Sequence, residues 1–552
     1  MEIAVSQLIV QFLERLGIGA LFGMPGAHIL PVYDRLYESP IRTVLVKHEQ
    51  GAAFMAGGYA RASGRIGACI ATAGPGATNL VTGIASAYMD RLPVLIVTGE
   101  TSTHIFGKGG LQESSGEGGA IDQSALFRGI TRYHKLVERT DYLPHVLNKA
   151  AKILRSPNPG PVLLSFPFNV QQERVDAAIL DTLVLKPPYG RPRPPAVAEL
   201  AGLIQQARAP LILAGHGCLR AQAQAEVARL SRDFNIPVAT SLKGKGVIDE
   251  GSALALGSLG VTSHGRAYRY LVEQADLLIL LGAGFNERTS YLWDEQLLAG
   301  KRIAQIDHDP EQLDKVFQAD LALHADIRQA LIALLKRLDE QGVAPKARPV
   351  IEADPEPIWQ GAPGNGGGAP DFTLIRRFFA RLAAAFPRGA LLFDDNILFA
   401  QNFFDVSAAN RYFPNSGISS LGHAIPAAIG ARFGVEGPTF AILGDGGFQM
   451  CGFELMTAVN YQIPLNVVLL NNGGMGLIRK NQVQLYHSRF IDCDFVNPDF
   501  ARLADAFGIR HCRVADEADL DRLFADYDLV NGLNLIEIPI GKDAFPNYLS
   551  RR

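Results

Sequence analysis

Long hydrophobic runs are missing from this chain. No apolar stretch approaches the roughly 18 residues that a membrane-spanning helix needs, so no membrane association is expected. Blocks of like charge are missing too. Charged residues make up 19% of the chain and the net charge is −3, without a basic stripe, which argues against a nucleic-acid partner. Cysteine is scarce and unpatterned. The five present (Cys69, Cys218, Cys451, Cys493 and Cys512) form no CxxC and are odd in number, so they read as reduced, mostly buried thiols of a cytoplasmic protein. A secretory leader is also absent. Val5, Leu8, Ile9, Phe12, Leu13 and Leu16 recur at helical spacing with Glu14 and Arg15 opposite, which predicts an amphipathic helix of a folded domain. No short-period repeat occurs.

Against these absences stand 48% apolar residues and 56 glycines, a composition that suits an α/β enzyme. At 552 residues the chain exceeds a single core. Two stretches punctuate it: a proline-rich linker at 186–195 and a looser, glycine-rich one at 345–370. They delimit three segments, 1–185, 190–342 and 370–552, each of ordinary domain size. All three alternate apolar strand runs with helical patterns, which predicts an α/β fold of three doubly wound parallel-sheet domains. The middle segment places strands at 210–214, 277–281 and 303–306. Its Gly215-His216-Gly217-Cys218 lacks the third glycine of a dinucleotide fingerprint and reads as a tight strand-to-helix turn.

Two strand ends in the last segment carry the most chemistry. The apolar run Thr439–Leu443 leads into Gly444-Asp445-Gly446-Gly447, with a helical pattern from about Phe448. The run Leu465–Leu470 leads into Asn471-Asn472-Gly473-Gly474. Glycines at such turns let backbone N–H groups approach an anion, and a helix start adds its positive end. A carboxylate, an amide oxygen and a backbone carbonyl are hard ligands suited to Mg²⁺ that shares its shell with phosphate oxygens. Each half alone is a common α/β turn; as a pair they read as a metal clamp for a diphosphate cofactor.

The pair resembles the thiamine diphosphate (ThDP) motif of the pyruvate decarboxylase and acetolactate synthase superfamily. The three segments match that superfamily's order of pyrimidine-binding, central and diphosphate-binding domains. The resemblance implies ThDP and Mg²⁺, with Asp445, Asn472 and the Gly474 carbonyl on the metal and Gly446 and Gly447 at the diphosphate. Glu49 ends the run Thr43–Val46 at a sheet edge, ahead of the small-residue stretch Gly51–Ala56. Its context His48-Glu49-Gln50-Gly51 resembles the family's activating glutamate, which shares a proton with the cofactor's aminopyrimidine and so makes the thiazolium a nucleophile and electron sink. The same resemblance places Leu421 beneath the two rings as a wedge and the Ser419 carbonyl at the 4′-amino group. It also places Pro25, Asn79 and Asn396 at the cofactor.

Among branches, the likeness is greatest to acetolactate synthases, through Pro25-Gly26-Ala27-His28, Gly74-Pro75-Gly76-Ala77-Thr78-Asn79 and Gly444–Met450. The adjacent histidines of the pyruvate decarboxylase branch are missing. Three departures stand out: Gly284 where biosynthetic acetolactate synthases have an arginine for the second keto acid, Asn481 in place of a tryptophan in Leu477-Ile478-Arg479-Lys480-Asn481, and extra residues from Ser114 to Gly119. His28 and Gln112 resemble benzaldehyde lyase, which suggests a proton shuttle. The implied activity is decarboxylation of a 2-keto acid, pyruvate above all, with transfer of the acyl unit to a carbonyl acceptor. An acyloin lyase or ligase, a simple decarboxylase and a non-catalytic relative remain alternatives. His28, Gln112, Leu477, Ile478 and Asn481 are the expected substrate pocket. FAD stays open, because Gly257-Ser258-Leu259-Gly260-Val261 only partly matches the flavin loop of acetolactate synthases. A homodimer is the implied minimum and a tetramer the implied assembly.

Overall fold

The computed structural model describes residues 1–185, 197–263, 265–347, 349–351, 371–546 and 548. The first linker therefore lies outside the described residues, as do 348 and 352–370 of the second. Among the described residues three six-stranded parallel sheets occur, one per domain, with a small antiparallel pair of Glu2–Ala4 and Arg174–Asp176 in the first. The N-terminal sheet comprises Ala20–Gly23, Arg42–Leu45, Gly67–Ala71, Val94–Glu100, Tyr133–Leu136 and Val162–Pro167, ordered 2-1-3-4-6-5 in chain sequence. The C-terminal sheet comprises Leu391–Asp394, Arg411–Pro414, Thr439–Gly444, Leu465–Asn471, Arg510–Arg513 and Leu533–Pro539, and repeats the same order. The middle sheet, from Pro210–Ala214 to Leu321–His324, is ordered 3-2-1-4-5-6, the arrangement of dinucleotide-binding folds. The Gly215 turn leads directly into the helix His216–Arg220.

Helices cover both faces of these sheets, which is why the central strands are apolar throughout. Leu277–Leu281 reads Leu-Leu-Ile-Leu-Leu and is buried at every position. Such sheets bind ligands outside the carboxyl ends of strands whose connections diverge. In the C-terminal sheet that point lies between Leu391–Asp394 and Thr439–Gly444; in the N-terminal sheet it lies between Ala20–Gly23 and Gly67–Ala71.

The outer domains pack on each other through the helices Glu49–Ser63 and Ala424–Arg432. Small residues allow backbone-to-backbone approach there. A Cβ at Gly58 would overlap the Ala427 carbonyl, and one at Gly430 would overlap that of Met55. One continuous hydrophobic core results, running from Phe22 and Met55 to Ile429 and Leu443. All five cysteines are free and buried. No helix among the described residues is long and apolar enough to cross a membrane.

Candidate active site

The helix after Gly444 begins at Asp445 and runs to Cys451, three residues earlier than the sequence pattern places it. Glycines 446 and 447 hide the helical period, since they carry no side chain to show a face. Asp445 is consequently held inside the turn, 1% exposed. Its Oδ2 accepts hydrogen bonds from the backbone N–H of Gly473 (2.6 Å) and Asn472 (3.2 Å) and from Asn497 Nδ2 (2.7 Å). Its Oδ1 accepts from the Gly446 N–H at 3.0 Å. Asn472 Oδ1 accepts only from the Gly474 N–H, at 3.2 Å, which leaves it a free lone pair.

Asn497 also donates to Asn471 Oδ1 at 2.9 Å, tying both strand ends together. Sequence reasoning missed it, because it lies in a loop with no motif around it. The donor set fits Mg²⁺ and a diphosphate. It is made of hard oxygens on adjacent strand ends. The cradle beside it admits no side chain: a Cβ at Gly446 would stand 2.6 Å from Met475 Sδ, and one at Gly447 2.9 Å from Asp395 Oδ2.

The turn that carries Ser419 and Leu421 lies over this cradle. Ser419 has φ +56°, a left-handed conformation that costs an ordinary residue about 1–2 kcal/mol. Leu421 is half-buried, and its Cβ is 3.9 Å from where a Gly447 Cβ would be. Asn396, at φ +68°, does not point free into the cradle. Its Oδ1 accepts from Arg288 Nη2 (3.1 Å) and Gln401 Nε2 (3.4 Å), linking it to the middle domain.

In the N-terminal domain, Glu49 is the first residue of its helix, capped by His48, whose Nδ1 accepts from the Gln50 N–H. Glu49 is 7% exposed; Asn79 Nδ2 donates to its Oε2 at 3.0 Å, and Gly76 faces its Oε1. His28 lies between two polar groups, its Nδ1 3.3 Å from Gln112 Oε1 and its Nε2 3.4 Å from Thr101 Oγ1. Pro25 is exposed in the same loop.

Two glutamates that sequence reasoning passed over hold Gln112 in place. Glu113 accepts from the N–H groups of Gly107, Gly109 and Gly110 and from the Ser115 hydroxyl, and these bonds lower its pKa. Glu100, 0% exposed, accepts from the N–H groups of Thr101 (2.7 Å) and Ser114 (3.0 Å) through Oε1, while Oε2 has no partner. Burial pushes its pKa up to about 7. Ser114, first of the extra residues, is buried and accepts from the Gly74 N–H, so that segment is anchored at its start.

The helix Gly476–Leu485 presents the remaining expected pocket residues. Leu477 packs on the C-terminal core, and Ile478 is 47% exposed. Asn481 Oδ1 is buried without a donor. Gly284 is exposed in open space, with Gln312 Oε1 3.9 Å from a Cβ placed there. No hydrogen bond among the described residues joins the Glu49, His28 and Gln112 group to Asp445 or Asn472.

Comparison with known proteins shows the family. Models of the N-terminal binding, central and C-terminal binding domains of thiamine pyrophosphate enzymes match residues 3–125, 197–334 and 396–538. The chain is 32% identical to an acetolactate synthase of Arthrospira platensis, over 97% of this chain and 94% of that protein. It is 33% identical to the acetolactate synthase isozyme 2 large subunit of Escherichia coli (strain K12), over 94% and 93% respectively. An acetolactate synthase of Mycobacterium bovis is also 33% identical, over 98% of this chain and 89% of that protein. With three domain models matched in order and relatives alike over nearly its whole length, the chain belongs to the thiamine pyrophosphate enzymes, in their acetolactate synthase-like branch.

Proposed function

We propose that the chain is a ThDP- and Mg²⁺-dependent carboligase that decarboxylates a 2-keto acid, pyruvate first among them, and transfers the acyl unit to a second carbonyl compound. The observation that carries this reading is the presence of two complete oxygen sets, Glu49 with Asn79 and Asp445 with Asn472. Bound ThDP supplies a nucleophilic carbon and an electron sink. The chain supplies placement and proton control. Glu49 exchanges a proton with the aminopyrimidine through its carboxylate, and Asn79 orients that carboxylate. Asp445, Asn472 and the Gly474 carbonyl hold the metal, while Gly446 and Gly447 admit the diphosphate. The Ser419 carbonyl and the Leu421 side chain would set the fold of the cofactor, whereas the Asn396 side chain, held by Arg288 and Gln401, would have to leave those bonds to reach the diphosphate.

Glu49 and Asp445 belong to different domains, and in the family that the sequence resembles the glutamate and the diphosphate domain of one site come from different copies; that analogy supports a site completed by a second copy. The functional unit is then a homodimer, with a homotetramer by analogy. The free, buried cysteines support a cytoplasmic location. A cleft of about 2290 Å³ is lined from all three domains, by Arg61 and Asp90 of the first, Lys243 and Gly284 of the middle one, and Asn396 and Ser419 of the last, among others. It has the room and positive charge for a dinucleotide, and the visible spectrum of the isolated protein reports whether FAD fills it.

A second reading, an acyloin lyase or ligase like benzaldehyde lyase, is favoured by the contact between His28 and Gln112. One experiment separates these. The protein is incubated with pyruvate, alone and with aldehydes, and with benzoin, and products are identified by mass spectrometry. Acetolactate or a mixed acyloin from pyruvate supports the carboligase; cleavage of benzoin alone supports the second reading. Free acetaldehyde as sole product means a decarboxylase, and no turnover of any substrate means a non-catalytic relative.

A further inference from the structure

A carboxyl group outside every role so far assigned stands where the first and third strands of the C-terminal sheet diverge. Asp395 follows the strand Leu391–Asp394, and its backbone N–H donates to the Ile442 carbonyl at 2.8 Å. The side chain is 2% exposed. Its Oδ1 accepts from Asn415 Nδ2 at 3.1 Å, and its Oδ2 accepts from the Gly422 N–H at 2.5 Å. Asn415 and Gly422 are the two ends of the turn that contains Ser419 and Leu421. Asn415 Nδ2 also donates to the Ser420 carbonyl inside that turn. On its other side, Asp395 Oδ2 occupies the space that a Cβ on Gly447 would need.

We propose that Asp395 is a positioning residue: its carboxyl clasps both ends of the 415–422 turn against the diphosphate turn, and so fixes where the Ser419 carbonyl and Leu421 meet the cofactor. This rests on the cofactor reading of those two residues given above. The clasp needs one group with two acceptor atoms, because two buried N–H donors converge on it from residues seven apart in sequence. An apolar side chain of similar size would leave both unpaired.

The surroundings make this carboxyl costly to keep. Asp394 lies beside it on the same strand, Cys451 faces it from the helix Asp445–Cys451, and His423 follows Gly422 in the turn. Arg288 is directed to Asn396, and no Lys or Arg forms an ion pair with Asp395 among the described residues. Burial therefore pushes Asp395 up to about 7, whereas it pushes His423 down to about 3, keeping that ring neutral. Two of its neighbours in the turn adopt left-handed backbone, Ser419 at φ +56° and Gly422 at φ +84°. Such a turn holds its shape only where surrounding bonds over-determine it. Asp395 supplies those bonds.

The test uses the full chain with ThDP and Mg²⁺, comparing Asp395→Ala, Asp395→Asn and Asn415→Ala with wild type. Calorimetry gives ThDP affinity, NMR follows exchange of the cofactor C2 proton, and near-ultraviolet circular dichroism reports the bound aminopyrimidine. Asp395→Ala is expected to slow C2 exchange at least about tenfold and to alter the dichroism, with affinity changed less than about threefold, because the diphosphate ligands are untouched while ring placement is lost. Asp395→Asn keeps one of the two acceptors and turns an amide N–H toward the other donor, so it is expected to fall between Asp395→Ala and wild type in rate. Asn415→Ala removes the other end of the clasp and is expected to show the same split, including where Asp395→Ala does not fold. Unchanged exchange in the variants, or affinity and exchange falling in parallel, overturns the positioning role. Wild-type protein that binds no ThDP overturns the cofactor reading and this proposal with it.

Discussion

Asn79 Nδ2 donates a 3.0 Å hydrogen bond to Oε2 of Glu49, so the expected activating carboxylate is oriented by the last residue of the short helix Pro75–Asn79 that follows the next strand. Oε1, the other oxygen, lies 3.5 Å from where a Cβ on Gly76 would stand. Glu49→Gln is expected to leave ThDP bound but to slow C2 proton exchange by orders of magnitude, since an amide cannot relay the proton. Asn79→Ala is expected to do less, about tenfold, the value of one hydrogen bond to a charged group. NMR exchange with calorimetry checks both, and exchange at the wild-type rate in Glu49→Gln rules the residue out.

Asp445 is both an expected metal ligand and the acceptor for three groups on the neighbouring strand end and loop. Asp445→Ala is expected to abolish ThDP retention, since it removes a charged ligand and leaves those donors unpaired. Asn497→Ala removes a donor shared by Asp445 and Asn471 and is expected to weaken ThDP binding by about ten- to a hundredfold, from loss of a bond to a charged group worth roughly 1.5–3 kcal/mol. Titration calorimetry in the presence of Mg²⁺ orders the two. Wild-type affinity in Asp445→Ala removes the metal assignment.

Gly284 and Asn481 bear on the acceptor. An arginine clamp on a second keto acid is worth roughly 1.5–3 kcal/mol, or about ten- to a hundredfold in affinity. With Gly284 in its place, the second pyruvate is expected to bind weakly, and Asn481, polar where the resemblance has a tryptophan, is expected to favour a polar acceptor. A Cβ added at Gly284 would meet nothing closer than Gln312 Oε1 at 3.9 Å. Steady-state titration with pyruvate, with and without added aldehydes, decides the matter. Efficient acetolactate formation at sub-millimolar pyruvate, without gain from any acceptor, overturns this expectation.

Glu100 predicts a pH dependence of stability. Its carboxyl is raised from an ordinary 4.5 to about 7 by burial. Between those values the unfolded chain has released the proton and the folded chain still holds it, so raising the pH favours unfolding across that window. The fall amounts to roughly 3 kcal/mol at most and levels off above about pH 7. Glu100→Gln, which mimics the neutral acid, is expected to melt above wild type at pH 8 and to lose that advantage at pH 5. Thermal melts at the two pH values check it, and a variant whose advantage grows as the pH falls contradicts the assignment.

Local sequence alone determined the strand ends that bear Asp445, Asn472 and Glu49, because each follows an apolar run ended by glycine or a small-residue helix, and backbone geometry acts over a few residues. It also determined the alternation of strands and helices in three segments. The start of the helix at Asp445 was hidden by two glycines that show no face. The shared 2-1-3-4-6-5 order of the outer sheets leaves no mark on sequence period, since topology depends on which strands pair across long separations. Asn497, Glu100 and Asp395 were equally silent, for each is an ordinary polar residue until folding buries it among N–H groups of remote segments. The chemistry of the site was thus local, whereas the bonds that hold its groups in place exist only once three sheets have been packed and water has been removed from between them.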